Sequence, residues 1–145
     1  FPRPQAADFS AIVALLAASG LPSADLSLPA LAHFRVRHAD GHVIAVAGLQ
    51  PLGTVGLLRS VCVAPAHRGS GLASRLVATL EAEAARMGFT TLYLLTNSAA
   101  TFFARRGYTA LPREEAPAAL KDTAEFSRLC PDSAVCMQKS LGATA

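Results

Sequence analysis

Between Val61 and Val77 an apolar strand, Val61-Cys62-Val63, passes through Ala64-Pro65-Ala66-His67-Arg68-Gly69-Ser70-Gly71 into a helically spaced run, Leu72, Leu76 and Val77. This strand–glycine–helix junction constrains the fold more than any other segment. Two glycines one residue apart open backbone conformations that side chains resist, and let the main chain come close to a ligand. The first-turn N–H groups of a helix have no intrahelical partner and lie at the positive end of its dipole, which suits the junction to hold phosphate. Arg68 adds a positive charge, and no Asp or Glu lies between Val55 and Leu80 to repel an anion. A plain strand–helix turn uses glycines for tightness as well. A degenerate dinucleotide fingerprint, Gly69-x-Gly71-x-x-Ser74, also fits, but it wants an acid at the end of the next strand. Here that strand ends in Thr96-Asn97.

The 145 residues, 52% of them hydrophobic, suit one domain over 1–145 with a sizeable core and exclude wholesale disorder. No apolar run reaches the ~18 residues a bilayer span needs, so no membrane partner is expected. The short segment Ile12–Ala18 follows Asp8 and Ser10 and reads as an amphipathic helix, not a signal sequence. Phe1 is not a Met, so a few residues are expected ahead of it. The net charge of +3 is carried by scattered arginines (Arg3, Arg35, Arg37, Arg59, Arg68, Arg75, Arg105, Arg106), which favours an anionic small molecule over nucleic acid. Cys62, Cys130 and Cys136 form an odd set with no CxxC pair, so neither a disulfide framework nor a metal site is expected. They read as buried, reduced thiols of a cytoplasmic protein.

Along the chain, Phe9, Ile12, Val13, Leu15 and Leu16 predict a helix with Asp8 as N-cap and Gly20 as its stop. Phe1–Arg3 reads as the remnant of a strand. After the Pro- and Ser-containing loop Leu21–Pro29, His33–His38 alternates, Asp40-Gly41 offers a hairpin turn, and Val43–Leu49 resumes. Pro51–Gly53 is read as a second turn and Val55–Val63 as a third strand, which implies an antiparallel meander. Leu72, Leu76, Val77, Leu80, Ala84 and Met87 then form one helical face, capped by Gly88. Thr91–Leu95 predicts a buried strand, Ala99–Arg106 a short helix stopped by Gly107, and Tyr108–Leu111 a strand. Pro117 opens a helix through Leu129, Pro131 ends it, and Ala134–Met137 makes a last strand. The order predicts a mixed α/β (α+β) sheet.

At Arg68-Gly69-Ser70-Gly71-Leu72-Ala73 the chain resembles the GNAT superfamily of acetyl-CoA-dependent N-acyltransferases, whose signature is matched by Arg68, Gly71 and Ala73. The wider order is similar too: a Val-x-Val strand end, Ala-Pro, the loop, a long helix, a strand, and Phe102-Phe103-Ala104-Arg105-Arg106-Gly107-Tyr108. Within the superfamily, Leu58-Arg59-Ser60-Val61, Leu92-Tyr93-Leu94-Leu95-Thr96 and Phe126-Ser127-Arg128-Leu129-Cys130-Pro131-Asp132-Ser133-Ala134 look like the N-acetyltransferases of arsenic-resistance operons. Those are akin in turn to glutamate-acetylating enzymes.

The resemblance implies a central mixed, mostly antiparallel sheet flanked by helices, with a splayed cleft for coenzyme A. It implies N-acetyl transfer from acetyl-CoA, as co-substrate, to the amine of a small carboxylate-bearing amino acid or analogue. Organoarsenical amino acids fall within that class, and a homodimer is among the assemblies the family allows. A non-catalytic coenzyme A-binding module and a protein N-acetyltransferase stay open as alternatives. By the same resemblance the amides of Gly69, Ser70, Gly71, Leu72 and Ala73, with Ser74 and Arg68, hold the pyrophosphate, and Val61, Cys62 and Val63 pair with the pantetheine arm. An N–H near Val61 faces the thioester carbonyl. Many relatives carry a Glu base two residues before that position, where Arg59 stands, and a Tyr acid where Phe103 stands. Arginine is no base at neutral pH, but its planar fork suits a carboxylate, so Arg59 is expected to read the acceptor's acid group, with Ser60 beside it. Pairing of Arg59 with an internal carboxylate is the equal alternative. Phe103 leaves only a ring contact to the cofactor, and Thr96, Asn97 or water is left to assist the departing thiolate. Phe126, Ser127, Cys130 and Ser133 are expected to wall the acceptor pocket, against the plainer reading of Phe126 as core and Cys130 as inert. Glu114 and Glu115 read as solvent-facing, and His33 and His38 as surface strand residues.

Overall fold

The computed structural model describes residues 1–130 and 133–142. The expectation that Pro131 ends the last helix lies outside those residues. Six strands, β1 (Phe34–Ala39), β2 (His42–Leu52), β3 (Val55–Val63), β4 (Thr91–Thr96), β5 (Thr109–Leu111) and β6 (Val135–Ser140), form one sheet in the order β1-β2-β3-β4-β6-β5. The β1–β2, β4–β6 and β5–β6 pairs are antiparallel, and β3–β4 is parallel. A parallel pair requires a crossover, and α2 (Leu72–Arg86) supplies it; α1 (Phe9–Ala18), α3 (Ala100–Ala104) and α4 (Ala118–Lys121) complete the mixed α/β fold. The chain divides into two compact units, Phe1–Gln50 with Leu58–Glu83, and Pro51–Leu57 with Ala84–Ala145.

In the first unit, Ile12 and Leu16 of α1 are fully buried against Phe34, Val36, Val46 and Cys62. The β1–β2 hairpin closes on Asp40 (φ 51°) and Gly41 (φ 76°), the left-handed pair of a type I′ turn. Its register shifts once: Arg37 faces Ala45 but His38 faces Val43, which leaves Ile44 as the extra residue of a bulge. Gly48 lies opposite Phe34, and a Cβ there would enter the Phe34 ring. In the second unit, Leu57, Leu120 and Cys136 form the core with Ala116, and Leu52, Tyr93, Leu95, Leu111 and Phe126 pack on it.

Three helices end on glycine in one pattern. Leu21 N–H bonds Leu16 C=O and Gly20 N–H bonds Ala17 C=O; Phe89 and Gly88 do the same to Ala84 and Ala85, and Tyr108 and Gly107 to Phe103 and Ala104. This six-to-one and five-to-two pairing needs a left-handed residue at its centre, and Gly20, Gly88 and Gly107 have φ of 71°, 86° and 92°.

Several expectations are corrected. Asp8 makes no side-chain cap to α1, because its carboxylate accepts the Gln5 N–H at 2.8 Å and meets His38 Nε2 at 3.0 Å. Phe1–Arg3 is not a strand, although Pro2 C=O accepts the Val36 N–H at 2.9 Å. β2 runs through Pro51 to Leu52, and the turn falls on Gly53-Thr54. The β1–β2 register ends at Gly48, so the N–H that proline lacks has no β1 residue facing it. Met87 lies beyond α2 and is 41% exposed, while Glu83 takes a buried place on that helix. The helix expected from Pro117 to Leu129 is broken into α4 and a π-helical turn, Glu125–Leu129. Thr123 is the reason: its Oγ donates to Leu120 C=O at 2.7 Å and accepts the Phe126 N–H at 3.2 Å, so it stops one turn and caps the next.

Candidate active site

β3 carries a bulge at the position where chemistry was expected. A two-residue turn closing Leu52 onto Val55 would put Val63 opposite Ile44. Instead the Ala64 N–H donates to Ile44 C=O at 2.7 Å, one residue later, as one extra residue in β3 requires. Ser60 is that irregularity: buried, not a glycine, and left-handed at φ 58°. The parallel pairing of β3 with β4 runs from Val55 opposite Thr91 to Leu57 opposite Tyr93. The backbone of Ser60, Val61, Cys62 and Val63 follows beyond that register.

Beside the bulge, Arg59 is buried, with 3% of its side chain exposed. Its two terminal nitrogens donate to the two carboxylate oxygens of Asp25 at 2.6 and 2.7 Å. One of them also reaches Gln50 Oε1 at 3.3 Å, and Nε donates to Ser60 Oγ at 3.2 Å. The fork expected to read an acceptor's carboxylate is therefore closed on an internal one. Sequence reasoning missed Asp25. It is the sole acid between Asp8 and Asp40, but nothing local ties it to a strand 34 residues on.

The junction after β3 is built as the sequence implies. Pro65–His67 makes one 3-10 turn, Arg68 is extended, and Gly69 and Gly71 are both left-handed, at φ 81° and 82°. The Arg75 N–H closes on Gly71 C=O at 3.1 Å, so the N–H groups of Leu72, Ala73 and Ser74 precede the helical ladder of α2. Arg68 Nε donates to Val63 C=O at 3.0 Å and ties the loop to the strand end, and Ser70 Oγ donates to His67 C=O at 2.6 Å. Residues Arg68 to Gly71 are exposed, and a Cβ built on Gly69 or Gly71 would meet nothing within 4 Å. An anion has room at this helix mouth. Cys62 is buried, and its thiol donates to Ser19 Oγ at 3.1 Å.

The second unit holds the remaining candidates. Thr96 Oγ accepts the Ala99 N–H at 3.0 Å, which leaves its O–H to donate, and Asn97 is exposed. Phe103 is buried edge-on between Phe102 and Tyr108, at centroid distances of 5.0 and 5.5 Å. It serves as core of its unit. Phe126 is half-buried on the π-helical turn and Cys130, also half-buried, follows it as an extended C-cap, its N–H closing on Glu125 C=O at 2.8 Å. Ser127 and Ser133 are exposed. Arg113, which sequence reasoning passed over, clamps this segment: it donates to Phe126 and Ala134 carbonyls, both at 3.2 Å, and stacks on the Phe126 ring at 4.3 Å. Burial pushes the Cys136 thiol above the usual cysteine range, opposed by the nearby Arg113 charge, and burial also raises Tyr93. Among the described residues no group of three or more His, Cys, Asp or Glu side chains is placed to hold a metal, and no helix is long and apolar enough to cross a membrane.

A bulged strand thus runs through a double-glycine turn into a long helix on a mixed six-stranded sheet. The profile of the acetyltransferase (GNAT) family matches residues 16–108, and the chain belongs to that family. It is 33% identical over 97 residues to the amino-acid acetyltransferase of Pseudomonas putida KT2440, a match over 66% of this chain and 22% of that protein. The chain thus corresponds to about a fifth of the length of such relatives. Its fold is similar to N-acetylglutamate synthase from Neisseria gonorrhoeae complexed with coenzyme A and N-acetyl-glutamate (TM-score 0.83, 20% identity, 98% of this chain and 35% of that one). It is similar along nearly its whole length to Rv2747 from Mycobacterium tuberculosis in complex with CoA (TM-score 0.79, 23% identity, 96% and 97% of the two chains).

Proposed function

We propose that this chain is an acetyl-CoA-dependent N-acetyltransferase whose acceptor is a small amino acid. The paired left-handed glycines at the mouth of α2, with open space above them, carry the reading. The amides of Gly69 to Ser74 would hold the diphosphate of the co-substrate, with Arg68 beside them. The backbone of Val61 to Val63 would pair with its pantetheine arm. The acceptor's neutral amine attacks the thioester carbonyl directly; the C–N bond forms as the carbonyl π bond opens to a tetrahedral oxyanion, the amine proton passes to water, and re-forming the carbonyl breaks the C–S bond and releases the thiolate. The Val61 N–H would face the developing oxyanion, a contact whose loss in other enzymes costs about 3–4 kcal/mol. A thiolate is a good enough leaving group for Thr96 and Asn97, or water, to assist without a dedicated acid.

The amino-acid acetyltransferase relatives support an amino-acid acceptor. The finer likeness to arsenic-resistance enzymes puts an organoarsenical amino acid among the acceptors to try. Phe126, Ser127, Cys130 and Ser133 are assigned to the acceptor wall. Arg59, engaged by Asp25, is assigned to the strand instead of the acceptor.

A second reading, a coenzyme A-binding module without catalysis, is favoured by Arg59 and Phe103 at the positions where relatives carry a base and an acid. Calorimetry with acetyl-CoA, followed by thiol release across a panel of amino acids, tests both. Binding with turnover of at least one amino acid is expected. Binding with no turnover on any amine selects the module, and no binding removes both.

A further inference from the structure

We infer that Asp25 is a positioning residue for acetyl transfer: through Arg59 it holds the bulge at Ser60 and so aims the main-chain N–H of Val61. This rests on the reading of β3 as the strand that faces the thioester. Ser60 sits left-handed inside a strand, a conformation a serine keeps only where its surroundings impose it. Those surroundings are Arg59, whose Nε holds Ser60 Oγ while its two terminal nitrogens are forked onto Asp25. A bidentate carboxylate fixes the plane and direction of a guanidinium, which a single bond does not. Arg59 Nε cannot swing away from Ser60 without breaking two charge-assisted bonds at the other end of the same plane. Gln50, on the neighbouring strand β2, anchors one terminal nitrogen as well. A buried ion pair is poor evidence of stability, since apolar residues of like volume serve as well. A pair spent on the residue before Val61 has an effect that apolar packing does not supply: it sets the direction of the next peptide.

The test compares wild type with Asp25→Asn, Arg59→Met and the double variant Asp25→Asn/Ser60→Gly. It uses thermal melts, acetyl-CoA calorimetry, steady-state kinetics, and amide resonances of Ser60 to Val63. Asp25→Asn is expected to keep its coenzyme affinity and acceptor KM while kcat falls about 10- to 100-fold, the scale of a small misplacement. Its Ser60 and Val61 amide resonances are expected to move, and Ser60→Gly, which takes the left-handed conformation unaided, is expected to restore part of the lost kcat. Should Asp25→Asn fail to fold, Asp25→Glu keeps the charge and is read by the same resonances. Unchanged Ser60 and Val61 resonances overturn the inference, as does an altered acceptor KM at intact kcat, which would mark Arg59 as an acceptor reader. Because the resonances need no turnover, a wild type that binds coenzyme and never reacts sinks the proposed activity and leaves this result legible.

Discussion

Glu83, buried on α2, holds the Arg35 guanidinium of β1 at 2.6 Å, and its other oxygen, Oε2, has no hydrogen-bond partner among the described residues. Arg3 reaches the same Oε1 only at 3.5 Å and from a mostly exposed position. Arg35 and Glu83 are 11% and 9% exposed, so neither charge is well hydrated without the other. Glu83→Ala leaves Arg35 buried and unpaired, and a loss of about 3–5 kcal/mol is expected. Urea unfolding monitored by circular dichroism measures it. Glu83→Gln, which keeps an acceptor oxygen, should lose clearly less.

Gly69→Ala and Gly71→Ala separate binding from folding. Each alanine must enter a left-handed conformation, at roughly 1–2 kcal/mol, but its Cβ meets no atom within 4 Å. Both variants should therefore fold, with melting points a few degrees lower. On the proposed diphosphate grip, coenzyme affinity should fall at least about tenfold, since an alanine that relaxes from the left-handed conformation turns the amides of the loop away. Calorimetry showing wild-type affinity in both would remove the junction from the site.

Asp8 contributes to acid stability. The His38 hydrogen bond, then the Gln5 N–H, holds its carboxyl below the usual aspartate value. A depressed folded value means the contribution is complete above the unfolded aspartate value of about 3.9 and is lost as pH falls through the folded one. Wild type should thus be more stable than Asp8→Asn at pH 5, and the gap should close as the pH falls below the unfolded aspartate value of about 3.9. Chemical unfolding at each pH reads the gap; a constant difference would refute the role.

The three thiols should react in order. Cys130 is half-buried, whereas Cys62 and Cys136 are buried and burial pushes the Cys136 thiol up. Thiolate is the reactive form. Alkylation at pH 8 followed by peptide mass spectrometry should label Cys130 first and Cys136 last or only on unfolding.

Local chemistry explains why so much was legible before the fold was known. Gly20, Gly88 and Gly107 each end a helix through bonds that span five residues, and Asp40-Gly41 closes a hairpin through its own two φ angles. The Gly69 and Gly71 pair acts the same way. Such elements are decided by neighbours in the chain, so residue type at one position suffices to announce them. Thr123 shows the limit: its hydroxyl ends a helix that the apolar spacing carried on to Leu129.

From residue order alone came the alternation of strands and helices, their glycine stops, and the double-glycine turn that opens α2, because each depends on contacts within a turn or two. Tertiary packing alone decided that Arg59 faces Asp25, that Glu83 goes inside with Arg35, and that Met87 stays out. A charged side chain reads as surface until a distant partner compensates its lost hydration, and those partners lie 34 and 48 residues away. The left turn at Ser60 belongs to the same class. Serine announces no such conformation, and it exists here among a guanidinium, a carboxylate and an amide that only the folded chain brings together.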